Sequence, residues 1–169
     1  MTDMNDRINQ WLLDAHAMEE QAETILSGQT HRIESYPELE TRMKQHLEET
    51  RSQQKRLEQC IERRGASRSN VKDMVGKFTA TMQNLSGAFA GDEVVKGVLA
   101  SYAFEHMEIA SYRILIAACD AAGDHETKAV LEDICREEEA MAKWLSEAMP
   151  EITKRHLLRT EADVSEAKR

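Results

Sequence analysis

Residues 102–124 read YAFEHMEIASYRILIAACDAAGD. Tyr102, Glu105, Ile109, Tyr112, Ile116 and Cys119 follow one another at steps of three and four, the spacing of a buried face on a bundled helix. One member is out of place. Glu105 stands where a leucine belongs, and Glu108, three residues on, shares its face. A lone buried carboxylate is costly and takes up a proton or finds a partner. The stretch therefore predicts a long helix and asks what its carboxylates meet.

Working outward, Val95 and Val98 extend the same stripe, so the helix is expected over 92–122, with Gly123 closing it and Asp124 capping the next. That next helix carries Leu131, Ile134, Glu138, Met141, Leu145, Ala148 and Ile152, and Pro150 is expected to kink or end it. A first helix over 3–27 shows Ile8, Leu12, Ala15, Glu19, Ala22 and Leu26, and Ser27-Gly28 should end it. The second, over 37–64, has Pro37 in its first turn and Ser35 with Glu38 as a capping box. Its stripe is Leu39, Met43, His46, Glu49 or Thr50, Gln53, Leu57, and Cys60 or Ile61, with Gly65 as the stop. A weaker apolar segment over 71–85, bounded by GASRSN and SGAFAG, predicts an extra helix in the connection. The expected fold is all-α: a four-helix bundle of two helix hairpins with an extra helix in one long crossover. Residues 1–158 form the single domain, and 159–169 a charged, frayed tail.

Composition agrees. The 169 residues are 41% hydrophobic and 31% charged, enough for one domain with a core, and two prolines with seven glycines are too few for an all-β fold. The net charge of -9 argues against duplex DNA and anionic membrane surfaces as partners. The start of the chain lacks a basic-then-apolar leader, and no run reaches the eighteen apolar residues of a membrane helix. Cys60, Cys119 and Cys135 form no CxxC pair, which points to a reducing, cytoplasmic setting and to core roles, as do the nine methionines.

Each long helix has a glutamate in its stripe: Glu19, Glu49, Glu105 and Glu138. His46 lies three residues before Glu49, as Glu108 lies three after Glu105. Glu19, His46 and Glu49 fall about 14–18 Å from the first hairpin loop, and Glu105, Glu108 and Glu138 about 20–26 Å from the second turn. Within each hairpin the acids are level. Between hairpins the heights differ by a turn or two, which the crossover must absorb. Carboxylates and an imidazole gathered in a bundle core suit two iron ions or manganese. Ferritin-like sites use one Glu from each of two helices and a Glu-x-x-His pair from each of the other two. Here Glu19 and Glu138 are the singles, His46-x-x-Glu49 is a reversed pair, and Glu105-x-x-Glu108 lacks the histidine. With 22 glutamates some fall on a stripe by chance, and Glu20 competes with Glu19 as Glu137 and Glu139 do with Glu138. Gln53 is placed to orient a ligand, Tyr102 and Tyr112 to bond a carboxylate, and His106 to face solvent or a partner helix.

The segment EHMEIASY at 105–112, with DAHAMEEQ at 14–21, HLEETRSQQKRLEQ at 46–59 and REEEAMAKWL at 136–145, resembles the YciE/YciF-like branch of the ferritin-like superfamily. These are bacterial stress-associated proteins, and the likeness spans about residues 5–155. It implies a ferritin-like bundle, a homodimer and a two-metal centre. Glu19, Glu49, Glu105, Glu108 and Glu138 stand at the family's acidic positions and His46 at its histidine, while Ala142 replaces an acid that some relatives carry. Two functions follow as expectations. One is a dimetal protein acting on oxygen, peroxide or Fe(II), as an oxidase, ferroxidase or catalase-like enzyme. The alternative is a non-catalytic stress or interaction bundle without metal.

Overall fold

The computed structural model describes residues 3–30, 33, 35–66 and 93–167. Among them are four helices and no strand: α1 (Met4–Thr30), α2 (Pro37–Arg63), α3 (Glu93–Ala122) and α4 (His125–Ala167). The expected crossover helix over 71–85 lies outside the described residues.

The turns carry out local sequence instructions. Gly65 (φ 68°) and Gly123 (φ 72°) adopt the left-handed conformation that a Cβ disfavours. The Ala66 N–H then reaches the Ile61 carbonyl at 3.1 Å and the Asp124 N–H the Cys119 carbonyl at 2.9 Å, satisfying carbonyls that the helix ends leave open. Asp124 caps α4, accepting from the Thr127 N–H at 3.0 Å and the Thr127 hydroxyl at 2.6 Å.

Arg64, at the end of α2, also donates to Asn9 at 2.7 Å, to Asn5 at 3.1 Å and to Asp124. The start of α1, the end of α2 and the α3–α4 turn thus share one end of the bundle, opposite the α1–α2 connection. The two hairpin turns point in opposite directions. This corrects the expected offset in height: a 27-residue helix is about 40 Å long. A level about 16 Å from one end therefore lies about 24 Å from the other, and no offset has to be absorbed.

The core falls into two apolar clusters. One gathers Ile8, Leu12, Leu57, Leu115, Leu131 and Ile134 near the shared end. The other gathers Leu26, Leu39, Met43, Val98, Met141 and Leu145 toward the opposite end. On every helix a buried polar residue lies between members of the two: Glu19 between Ala15 and Leu26, His46 between Met43 and Leu57, Glu105 between Val98 and Ile109, Glu138 between Ile134 and Met141.

Three local expectations need correction. α1 runs through Ser27 and Gly28 to Thr30. The Ser35–Glu38 capping box does not form, because Tyr36 is the residue at the cap and makes no side-chain cap bond; Pro37 alone starts α2. Nor does α4 end at Pro150, which sits exposed within a helix that continues to Ala167. Beyond the proline, Ile152 is buried and Arg155 and Arg159 lie over the Tyr36 ring at 5.4 and 5.9 Å, so packing offsets the lost backbone bond. Among the described residues no helix is long and apolar enough to cross a membrane.

Candidate metal centre

Between the two apolar clusters, Glu19 (0% exposed), His46 (1%), Glu105 (3%), Glu108 (1%) and Glu138 (1%) form a polar layer drawn from all four helices. His46 is its hinge. Nε2 lies 3.3 Å from Glu105 Oε2 and 3.4 Å from Glu138 Oε2, and Nδ1 lies 2.9 Å from Glu49 Oε2. One ligand-type atom from each of His46, Glu105 and Glu138 lies within 4.8 Å of the others, a spacing one cation can bridge.

The remaining acids are tied in by single donors. The Tyr112 hydroxyl, wholly buried, donates to Glu19 Oε1. The Gln53 amide donates to Glu138 Oε1 and, at 2.9 Å, to Glu137 Oε2. Among the described residues Glu19 Oε2 and Glu108 Oε1 are buried with no hydrogen-bond partner, and Glu105 Oε2 and Glu138 Oε2 share the one His46 Nε2. Buried polar atoms are normally satisfied, so two bare carboxylate oxygens and two more on a single imidazole nitrogen leave the layer short of positive partners.

Electrostatics point the same way. Burial drives Glu19 up to about 8 against the Tyr112 hydrogen bond and the His46 charge. Burial, then the charges of Glu19, Glu138 and Glu105, pushes Glu108 well above the carboxylate range, and Glu138 is raised by burial and by Glu19 and Glu105. Burial alone would depress the His46 imidazole, but its bonds to Glu105 and Glu49 win and lift it to about 9. These acids are poised to exchange protons for cations.

The register left open by the sequence is settled geometrically. Glu19, not Glu20, enters the layer: Glu20 is half-exposed and turned to His16 at 3.6 Å. Glu138 enters, while Glu137 pairs with Arg56 and Glu139 with Arg113 at 2.8 Å. On α2 the buried stripe takes Thr50, and Glu49 lies at the rim with its side chain 24% exposed. Glu49 accepts from Arg42 at 3.0 Å and Gln45 at 2.9 Å besides facing His46, so it is not brought among the buried acids. Burial would raise it, but His46 and Arg42 hold it down at about 2. Of the flanking aromatics, Tyr112 bonds a core acid, whereas Tyr102 packs edge-on against exposed His106 at 4.5 Å. The cysteines are buried and free. Sequence reasoning missed Arg42 and Arg56. The signal was present, since Arg42, Glu49 and Arg56 recur every seven residues along one face of α2.

A family profile described as "Domain of unknown function (DUF892)" matches residues 3–158. The fold resembles a protein of known structure from Xanthomonas campestris at 40% identity and TM-score 0.80, covering 94% of this chain and 99% of that one. It resembles YcfI from Rhodopseudomonas palustris at 28% identity and TM-score 0.69, covering 85% and 93%. The stress protein YciF of E. coli shares the fold at 24% identity and TM-score 0.74, covering 91% and 99%.

Proposed function

The chain belongs to the DUF892 family, the YciF-like family its sequence resembles, and from that premise we propose that it is a ferritin-like bundle holding two iron or manganese ions between Glu19, His46, Glu105, Glu108 and Glu138. The reading extends to a stress-associated role in which the centre handles oxygen, peroxide or Fe(II). One observation carries it: four acids are buried in one layer, where Glu19 and Glu108 each keep a bare oxygen and Glu105 and Glu138 share one imidazole nitrogen. Two divalent cations would neutralise four carboxylates and use those oxygens. Hard oxygens with one imidazole are a donor set that suits iron or manganese.

When bound, the metal pair supplies Lewis acidity and one-electron chemistry toward a small oxidant. The chain's own residues prepare the layer. Glu49 accepts the Nδ1 proton of His46 and so fixes the ring with Nε2 toward Glu105 and Glu138, where a cation would displace the Nε2 proton. Tyr112 and Gln53 each occupy one oxygen of Glu19 and Glu138 and leave the other available. The apolar clusters on either side exclude water.

The test is metal content after expression in iron-replete and manganese-replete media. About two equivalents per chain are expected, falling below one in Glu105→Ala. A metal-free protein whose melting temperature ignores added Fe(II) and Mn(II) contradicts the reading and favours a non-catalytic bundle.

A further inference from the structure

The four seams of the bundle are not equally closed. α3–α4 and α1–α2 are joined most extensively, α1–α3 less so, and α2–α4 least. Along α2–α4 runs a groove of about 360 Å³ lined by Arg42, Glu49 and Arg56 of α2 and by Arg136, Glu137 and Ala140 of α4. Two of its walls are directly wired to the polar layer. Glu49 holds His46, and Glu137 shares the Gln53 amide with Glu138. His46 and Gln53 each bond a groove residue on one side and face a buried acid on the other. Gln53 itself is 0% exposed, and its Oε1 accepts no hydrogen bond; the Nε of Arg56 beside it is also buried without a partner.

A second groove of similar size, about 350 Å³, lies between α3 and α4. Its inner wall is Tyr102, Ile109 and Ala142, and its Arg113–Glu139 ion pair has no bond to a core acid. The α1–α3 side is shut by the wholly buried Tyr112–Glu19 bond.

We infer that the α2–α4 groove is the route by which small polar species and metal ions reach the acids, and that Gln53 is the side chain that closes it. The inference rests on the metal-centre reading above. A loosely packed seam opens more readily than a tight one. Rotating one glutamine out breaks only its two bonds, because Arg56 still holds Glu137 and Arg42 still holds Glu49. The three arginines stand paired with Glu49, Glu137 and Asp133, so the mouth is near neutral and does not repel either an incoming cation or an uncharged oxidant.

The experiment follows Co(II) by its visible absorbance, measuring uptake by the metal-free protein and release into excess EDTA. Ala140→Trp fills the groove without touching a core acid. It is expected to slow uptake and release alike by about tenfold at unchanged stoichiometry and affinity, since a route alters both rates equally. Gln53→Ala is expected to speed both about fivefold or more. Ser146→Trp, in the α3–α4 groove, is expected to move neither. Wild-type rates in Ala140→Trp, or slowing by Ser146→Trp, overturn the route while leaving the metal centre intact. No Co(II) uptake by the wild-type protein overturns the metal centre and the route together.

Discussion

The Nδ1 atom of His46 lies 2.9 Å from Glu49 Oε2, and the same oxygen accepts from Arg42 at 3.0 Å. An acid three residues along the helix thus fixes the imidazole instead of joining the buried layer. Glu49→Ala should therefore weaken metal binding by about 10–100-fold while leaving metal stoichiometry unchanged, as the loss of an orienting carboxylate does elsewhere. Isothermal titration with Mn(II) checks it. Loss of one full equivalent would instead make Glu49 a ligand.

Glu108 has a buried oxygen without a partner and sits among the charges of Glu19, Glu138 and Glu105. Glu108→Met keeps the volume and removes the desolvated acid. The metal-free variant should be more stable than wild type by about 1–4 kcal/mol, by analogy with buried ionic groups replaced by hydrophobic ones. The same variant should lose at least one metal. Urea unfolding in EDTA, paired with metal analysis, reads both. A destabilised, fully loaded variant would show that Glu108 serves the core and not the site.

The Tyr112 hydroxyl is the one hydrogen-bond donor to the Glu19 side chain among the described residues. Tyr112→Phe leaves that oxygen unsatisfied and should cost about 1–3 kcal/mol in the metal-free protein. The penalty should shrink on metal loading, where the cations stabilise Glu19. Thermal melts with and without Mn(II) make the comparison.

The pH dependence has a definite sign. Glu19 is raised from 4.5 to about 8, so its stabilising contribution is complete below about pH 4.5 and is lost as pH rises through about 8. His46 is raised from 6.5 to about 9, so its contribution is complete below about 6.5 and is lost through about 9. Glu49, lowered to about 2, contributes above about 4.5 and fails only as pH falls toward 2. Metal-free protein should thus melt highest near pH 5 and progressively lower up to pH 9. Metal binding displaces protons, so the rise in melting temperature on adding Mn(II) should grow over the same range. A metal-free melting temperature that climbs from pH 5 to 8 would mean the acids are solvated.

Much of the fold was readable because buried positions recur at helical spacing. Ile8, Leu12, Glu19, Leu26, Glu105, Ile109, Tyr112, Glu138, Met141 and Leu145 are all buried as their stripes required. The glycines at 65 and 123 and the Asp124 cap were readable for a similar reason, since each has a local conformational role. The relative height of the hairpins was not, because it depends on which ends the turns occupy, a long-range property. Helix ends failed where packing overrode local signals: Gly28 lies within α1, and Ile152 and the arginines over Tyr36 carry α4 past Pro150. In the site, Glu49 and Thr50 are adjacent on α2, and periodicity alone did not choose between them. The choice depends on Arg42 two turns away, which keeps Glu49 at the rim.

Anomalous diffraction from crystals loaded with Fe(II) or Mn(II) locates any ions held between the helices. Two peaks about 3.5–4 Å apart are expected inside the bundle, within bonding distance of His46, Glu105 and Glu138 and bordered by Glu19 and Glu108. An interior without peaks, or metal bound only to surface acids such as Glu20 and Glu139, would contradict it.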